Sequence, residues 1–197
     1  NLAAGHYTAR VTLSGYATGS FTVLCEGGNF GGNVIADQNY ALSPEMESDH
    51  VRAVLTWGEA PSDLDAILTG PAAPHDRATR FQIDSMNGLY SYNALVYAEH
   101  ETDDVDGFGP EGIAICEQVF GTYRFYVYNI NAQFLPDNAD LARSGARVEV
   151  YMGGTLIDNF PVPAGHAGNL WTVFEMRGGS ISPVNELSYA GSWSDLE

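Results

Sequence analysis

A chain of 197 residues with 45% hydrophobic side chains can bury one sizeable core, with room for a small additional piece. Its 25 acidic and 8 basic residues, the latter all arginine, give a formal net charge of −17 at pH 7. This charge argues against nucleic acid or an anionic membrane as a partner, and it favours cations, a calcium-rich medium or a halophilic source. No stretch approaches the roughly 18 apolar residues of a transmembrane helix, so we expect no membrane insertion.

Apolar and polar residues alternate along most of the chain, and Gly, Pro, Asn and Asp interrupt the alternation at short intervals. This pattern predicts successive β-strands. The predicted strands are residues 7–13, 21–25, 51–57, 64–68, 81–83, 93–98, 112–116, 122–130, 147–152, 156–160 and 170–176. Only residues 137–143 predict a short helix. The set predicts an all-β fold, an antiparallel β-sandwich that is Ig-like or jelly-roll-like, with an extra N-terminal β-hairpin.

The domain organisation follows from a glycine-rich, turn-like segment near residue 30. We expect a β-hairpin over 1–26, a linker over 27–49 and the β-sandwich domain over 50–197. A two-stranded hairpin is too small to fold alone in water. It must therefore pack on the main domain or complete a sheet in another chain.

Two carboxylates, Asp63 and Asp65, follow an apolar strand and a Pro turn and begin the next predicted strand. Residues two apart in a strand point to the same face of the sheet. Their charges repel each other unless something positive lies between them. A hard cation such as calcium is a natural candidate in a chain with so few basic residues.

A second acidic group falls in one Gly-rich segment further along the chain. Its members are Glu101, Asp103, Asp104, Asp106 and Glu111. The group suits a cation that takes roughly six to eight oxygen ligands, although its spacing is not that of an EF-hand. We expect this loop to fold against Asp63 and Asp65 and to share one or two calcium ions with them. The alternative is a solvated acidic loop in which some carboxylates cap backbone amides.

The stretch from Leu55 to Asp65, which contains Trp57-Gly58 and Pro61-Ser62-Asp63-Leu64-Asp65, resembles the signature of the YfaP-like group of extracellular β-modules (domain of unknown function 2135). Three later stretches match in the same order: residues 103–111, 121–127 and 171–175. Residues 2–16 resemble the last hairpin of a carboxypeptidase-regulatory-like Ig module. The resemblance implies a β-fold and a secreted or cell-surface setting, and it implies no defined activity.

The remaining chemistry-bearing residues define no catalytic motif. The chain contains no GxSxG, HExxH or P-loop pattern. Its five histidines lack ligand spacing, and we expect them on the surface or in loops. Cys25 and Cys116 are compatible either with one disulfide or with two buried free thiols. We therefore expect the protein not to be an enzyme.

Taken together, these features favour a non-catalytic secreted or cell-surface module with a structural or adhesive role and calcium stabilisation. The extra hairpin leaves strand edges that invite β-strand addition, so we expect a homo-oligomer or homopolymer, such as a fibre or tube. One alternative is a calcium-dependent module that binds a peptide or a glycan. Another is a hydrolase that uses paired carboxylates.

Overall fold

The computed structural model of the protein describes residues 3–16, 18–25, 42, 44–72 and 79–196. Contacts along the chain divide it into two compact units, Asn1–Met46 and Glu47–Glu197. Most of the linker predicted over 27–49 lies outside the described residues.

The first unit contains a β-hairpin. Strands β1 (Gly5–Val11) and β2 (Gly19–Cys25) pair antiparallel, with Tyr7 opposite Val23. An isolated bridge joins Tyr16 to Pro44. The hairpin predicted from the alternating residues is therefore present.

The second unit is a sandwich of two antiparallel sheets. The six-stranded sheet has the order β11-β10-β3-β8-β7-β6, and the five-stranded sheet has the order β13-β12-β9-β4-β5. The strands are β3 (Val51–Thr56), β4 (Asp65–Pro71), β5 (Arg80–Ile83), β6 (Leu89–Tyr92), β7 (Leu95–Thr102), β8 (Glu111–Ile115), β9 (Thr122–Tyr128), β10 (Arg147–Met152), β11 (Thr155–Pro161), β12 (Leu170–Arg177) and β13 (Ser180–Ser188). The prediction of an all-β, antiparallel sandwich is confirmed.

The main core contains inward-facing residues of both sheets. Leu55 and Ile113 come from the six-stranded sheet, and Phe125 and Phe174 come from the five-stranded sheet. The rings of Phe125 and Phe174 stack with centroids 5.4 Å apart. Burial of large side chains such as these dominates the stability of the sandwich, because each stabilises it by roughly 1.5–3 kcal/mol.

The aromatic strand β9 packs on both of its faces. Tyr123 and Phe125 belong to the core between the sheets, whereas Tyr126 and Tyr128 belong to a second, smaller apolar cluster. In that cluster the ring of Tyr128 contacts Trp193 from the C-terminal segment at 5.4 Å. The second face of β9 is thus covered by a later part of the same unit.

The structure differs from the prediction at two edge strands and one helix. Strands β6 and β13 are additional. Pro183 lies inside β13, where an edge position tolerates the missing backbone N–H. The predicted helix is reduced to the single turn α1 (Asp140–Arg143). Cys116 is a free thiol that is only partly buried.

One end of the sandwich collects the loops that carry the predicted site. Strand β3 ends there beside the start of β8, since Leu55 pairs with Glu111. Strand β4 begins there beside the end of β9, since Asp65 pairs with Tyr128. We call this region the acidic end; it is formed by loops 57–64, 84–88, 103–110 and 129–139.

Candidate cation site

Three carboxylates converge at the acidic end. One oxygen from each of Asp63, Asp65 and Glu111 lies within 4.8 Å of the others. Asp63 lies in the loop before β4, and Asp65 and Glu111 are the first residues of β4 and β8. Because β4 and β8 belong to different sheets, the cluster spans the sandwich. The backbone N–H of Ala66 donates to Glu111 Oε2 and ties the two strands together.

Each of these three residues leaves one buried oxygen without a hydrogen-bond partner among the described residues. The atoms are Asp63 Oδ1, Asp65 Oδ2 and Glu111 Oε1. The second oxygen of Asp65 is held by Ser85 Oγ, which donates to Oδ1 over 2.8 Å. Buried polar atoms are almost always paired in folded proteins, so three carboxylate oxygens without a partner in one place form a candidate cation site.

Burial and mutual repulsion shift the acidity of the cluster. Burial is the main cause that raises the pKa of Glu111 to about 7, against the opposing contacts with His100 and the Ala66 amide. Burial likewise raises the pKa of Asp65 to about 6, with a further contribution from the charge of Asp63. The pKa of Asp63 is also raised, by burial and then by Asp103 and Asp104. The folded protein thus disfavours the charged form of these carboxylates, and a bound cation would offset this cost.

His100 lies inside this cluster, contrary to the expectation that the histidines are on the surface or in loops. It belongs to β7, its side chain is only 5% exposed, and its Nε2 lies 3.5 Å from Glu111 Oε2. Burial lowers its pKa, but the neighbouring Glu111 outweighs burial and leaves the pKa raised. Ala98 and His100 lie two residues apart in β7, so they share a face of the sheet. Because Ala98 is fully buried, this alternation indicates that His100 faces inward too.

The other carboxylates predicted at the site lie apart from the three that converge. Both oxygens of Glu101 accept hydrogen bonds from the guanidinium of Arg52. Asp103 and Asp106 are exposed in loop 103–110, and Asp104 accepts a hydrogen bond from the Asp106 amide in a local turn. Asp103 and Asp104 still lie close enough to raise the pKa of Asp63, so this loop borders the cluster.

The backbone explains how loop 103–110 reaches the Asp63 loop. The Phe108 N–H donates to the Gly58 carbonyl over 3.0 Å, and the Trp57 N–H donates to the Phe108 carbonyl over 3.2 Å. Gly107 has φ of +96°, and a Cβ there would meet the Glu59 carbonyl at 2.9 Å. Glycine is therefore required where the two loops cross.

The loop 84–88 supplies residues that sequence patterns did not single out. Ser85 orients Asp65, and Asp84 accepts hydrogen bonds from the backbone amides of Met86 and Asn87. These residues lie about twenty positions after Asp65, and no local spacing links them to it. Only the antiparallel pairing of β4 with β5 brings them together.

No protein-family profile and no curated protein matches the sequence. One solved structure is similar. It is the crystal structure of a protein of unknown function, SAV2460, with a TM-score of 0.50 and 13% sequence identity. The match covers 75% of this chain and 92% of that chain. At this identity the likeness concerns the fold alone. In the described residues, no helix is both long and apolar enough to span a bilayer.

Proposed function

We propose that the sandwich is a non-catalytic calcium-binding module. The observation that carries the proposal is the set of unpaired, buried oxygens on Asp63, Asp65 and Glu111. Three carboxylates that share a buried position repel one another, and a divalent cation among them turns that repulsion into attraction. The ion would join β4 of one sheet to β8 of the other.

The donor set favours calcium over other common metals. All three residues offer oxygen, which hard cations prefer. The oxygens lie within 4.8 Å of one another, so small side-chain adjustments would bring all three to the roughly 2.4 Å calcium–oxygen distance around one ion. Three carboxylates leave ligand positions open, and water, backbone carbonyls or the bordering Asp103 and Asp104 would fill them.

Burial also favours an ion over an organic substrate. The side chain of Glu111 is 0% exposed, so the scissile bond of a large substrate does not reach it in this conformation. A glycoside hydrolase needs both carboxylates to contact its substrate. A structural role for the cluster is therefore preferred over a hydrolytic one.

Calorimetry combined with thermal melting tests the proposal. The full chain, stripped with a chelator, should bind calcium, and saturating calcium should raise the melting midpoint of the sandwich by roughly 5–10 °C. Glu111→Gln should lose both effects. Glu117→Gln is the matched control, because Glu117 is exposed two residues beyond the opposite end of the same strand. An unchanged midpoint in the wild-type protein would exclude a calcium site.

The setting proposed for this module is secreted or cell-surface. The resemblance to extracellular β-modules supports it, as does the acidic composition, which suits a calcium-rich medium. A calcium-dependent peptide or glycan ligand stays an alternative role. Binding on a peptide or glycan array that disappears in Asp103→Ala would favour that role.

A second proposed function is self-assembly by β-strand addition, and one edge of the sandwich favours it. Strand β11 lies at the edge of the six-stranded sheet, and it exposes Leu156 and Ile157. Apolar edge strands invite pairing with another chain. Light scattering should then show oligomers that Ile157→Lys abolishes. Ser182→Lys, on the exposed edge strand β13, should leave the oligomers unchanged.

A further inference from the structure

Large apolar side chains are exposed on three of the four loops of the acidic end. They are Met86 (82% exposed), Val105 (61%), Phe134 (81%) and Leu135 (52%). Each stands at a loop tip rather than on a sheet face. Single exposed apolar residues are common, but four on loops around one cation site indicate an interaction surface.

The three loops are connected to the cluster by specific contacts. Ser85, next to Met86, donates to Asp65. Loop 103–110 carries Val105 and is hydrogen-bonded to Gly58 through Phe108. In loop 129–139, Asn131 Nδ2 donates to Ser62 Oγ over 3.3 Å, one residue before Asp63. The loops that carry the apolar tips thus contact Asp65 or the loop that carries Asp63.

We propose that this end of the sandwich docks, with calcium bound, on the surface of a zwitterionic phospholipid bilayer. The proposal rests on the calcium site described above. A phosphodiester oxygen of the headgroup would fill an open ligand position of the ion. The choline group would lie beside the exposed carboxylates of Asp103 and Asp106, and the four tips would enter the interface.

Charge selects this occupant over an anionic lipid surface. A chain with a net charge of −17 repels anionic lipids, whereas a phosphocholine headgroup has no net charge. Its separated negative and positive groups complement a bound cation bordered by carboxylates. The tips are discontinuous and interleaved with acidic residues, which suits shallow contact with a fluid surface better than a packed protein interface.

The opposite end of the sandwich provides a contrast. Phe120 is exposed there, in the loop after β8, but the guanidinium of Arg177 lies over its ring at 5.0 Å. That aromatic side chain is engaged by its own protein. It therefore supplies a matched control for the tips.

Co-sedimentation of the full chain with phosphatidylcholine vesicles tests the proposal. The protein should bind in calcium and dissociate in chelator. The double variant Phe134→Ser/Leu135→Ser should lower the partition coefficient about 10-fold or more, because both side chains lose their transfer into the interface. Phe120→Ser should bind as the wild type does. In both variants calcium should still raise the melting midpoint. This result shows that the cation site itself is intact.

Other outcomes separate this proposal from the calcium site. Calcium binding by calorimetry without vesicle binding would overturn the docking and leave the site standing. Binding only to vesicles that contain phosphatidylserine, or a calcium-induced dimer by light scattering without vesicle binding, would overturn the docking in favour of a different occupant. Absence of calcium binding would overturn both proposals.

Discussion

Glu101 and Glu111 lie on neighbouring strands of the same sheet and have opposite environments. Glu101 on β7 is held by the guanidinium of Arg52 through both oxygens. Glu111 on β8 is completely buried, and its ion-pairing partner among the described residues is the weak base His100. The chain thus neutralises one carboxylate with arginine and surrounds the other with Asp63 and Asp65. The second arrangement is stable only if a proton or an external cation supplies the charge.

The largest expected effect comes from removing the arginine that neutralises Glu101. Arg52→Leu should lower the free energy of unfolding by about 3 kcal/mol, because it leaves the partly buried Glu101 without its partner. Urea unfolding monitored by circular dichroism measures the change. Arg143→Leu is the control, since Arg143 pairs with Asp140 on the surface and should change stability by less than about 1 kcal/mol. Equal losses in both variants would contradict the assigned role of Arg52.

Without calcium, stability should fall as the pH rises. The pKa of Glu111 is about 7 in the folded chain against an ordinary 4.5, and the pKa of Asp65 is about 6 against 3.8. The folded state therefore binds more protons than the unfolded state between about pH 4 and 7, and it loses that stabilisation as the pH rises through the folded values. His100, with its pKa raised above 6.5, acts in the same direction.

Urea unfolding at several pH values in chelator should show a loss on the order of 2 kcal/mol between pH 5 and 8. Saturating calcium should remove most of this loss, because the ion replaces the proton as the neutralising charge. Glu111→Gln should flatten the profile in chelator. A free energy of unfolding that rises with pH in chelator would contradict the raised pKa values.

Replacing each glutamate with glutamine should change stability in opposite directions. In chelator at pH 8, Glu111→Gln should stabilise the protein by about 1–2 kcal/mol, because it removes a buried charge that has no full partner. Glu101→Gln should destabilise it by a similar amount, because Arg52 loses its carboxylate. Thermal melts of the two variants test this directly. The same sign for both would show that the two environments are equivalent.

The sequence was sufficient to predict the sandwich and the acidic segments, but not this difference. The alternation of side chains along the strands indicates part of this difference. Glu111 shares its face of β8 with the buried Ile113 and Ile115, whereas Glu101 shares its face of β7 with Glu99. The partners Arg52 and Ser85 are distant in the sequence. Strand pairing alone brings them to Glu101 and Asp65, and it includes a register shift between His100 and Thr102. No spacing rule contains that information.

The smallest expected effect tests how a neutral donor differs from an arginine. Ser85 holds one oxygen of Asp65, and the other oxygen has no hydrogen-bond partner among the described residues, so Ser85 orients the carboxylate without neutralising it. Ser85→Ala should therefore weaken calcium binding by about 5-fold in calorimetry, the equivalent of about one hydrogen bond, and should keep the site. Ser91→Ala, in the exposed strand β6, should leave the affinity unchanged. Complete loss of calcium binding in Ser85→Ala would mean that Ser85 contacts the ion itself. An unchanged affinity would mean that the carboxylates of Asp63 and Glu111 alone orient the site.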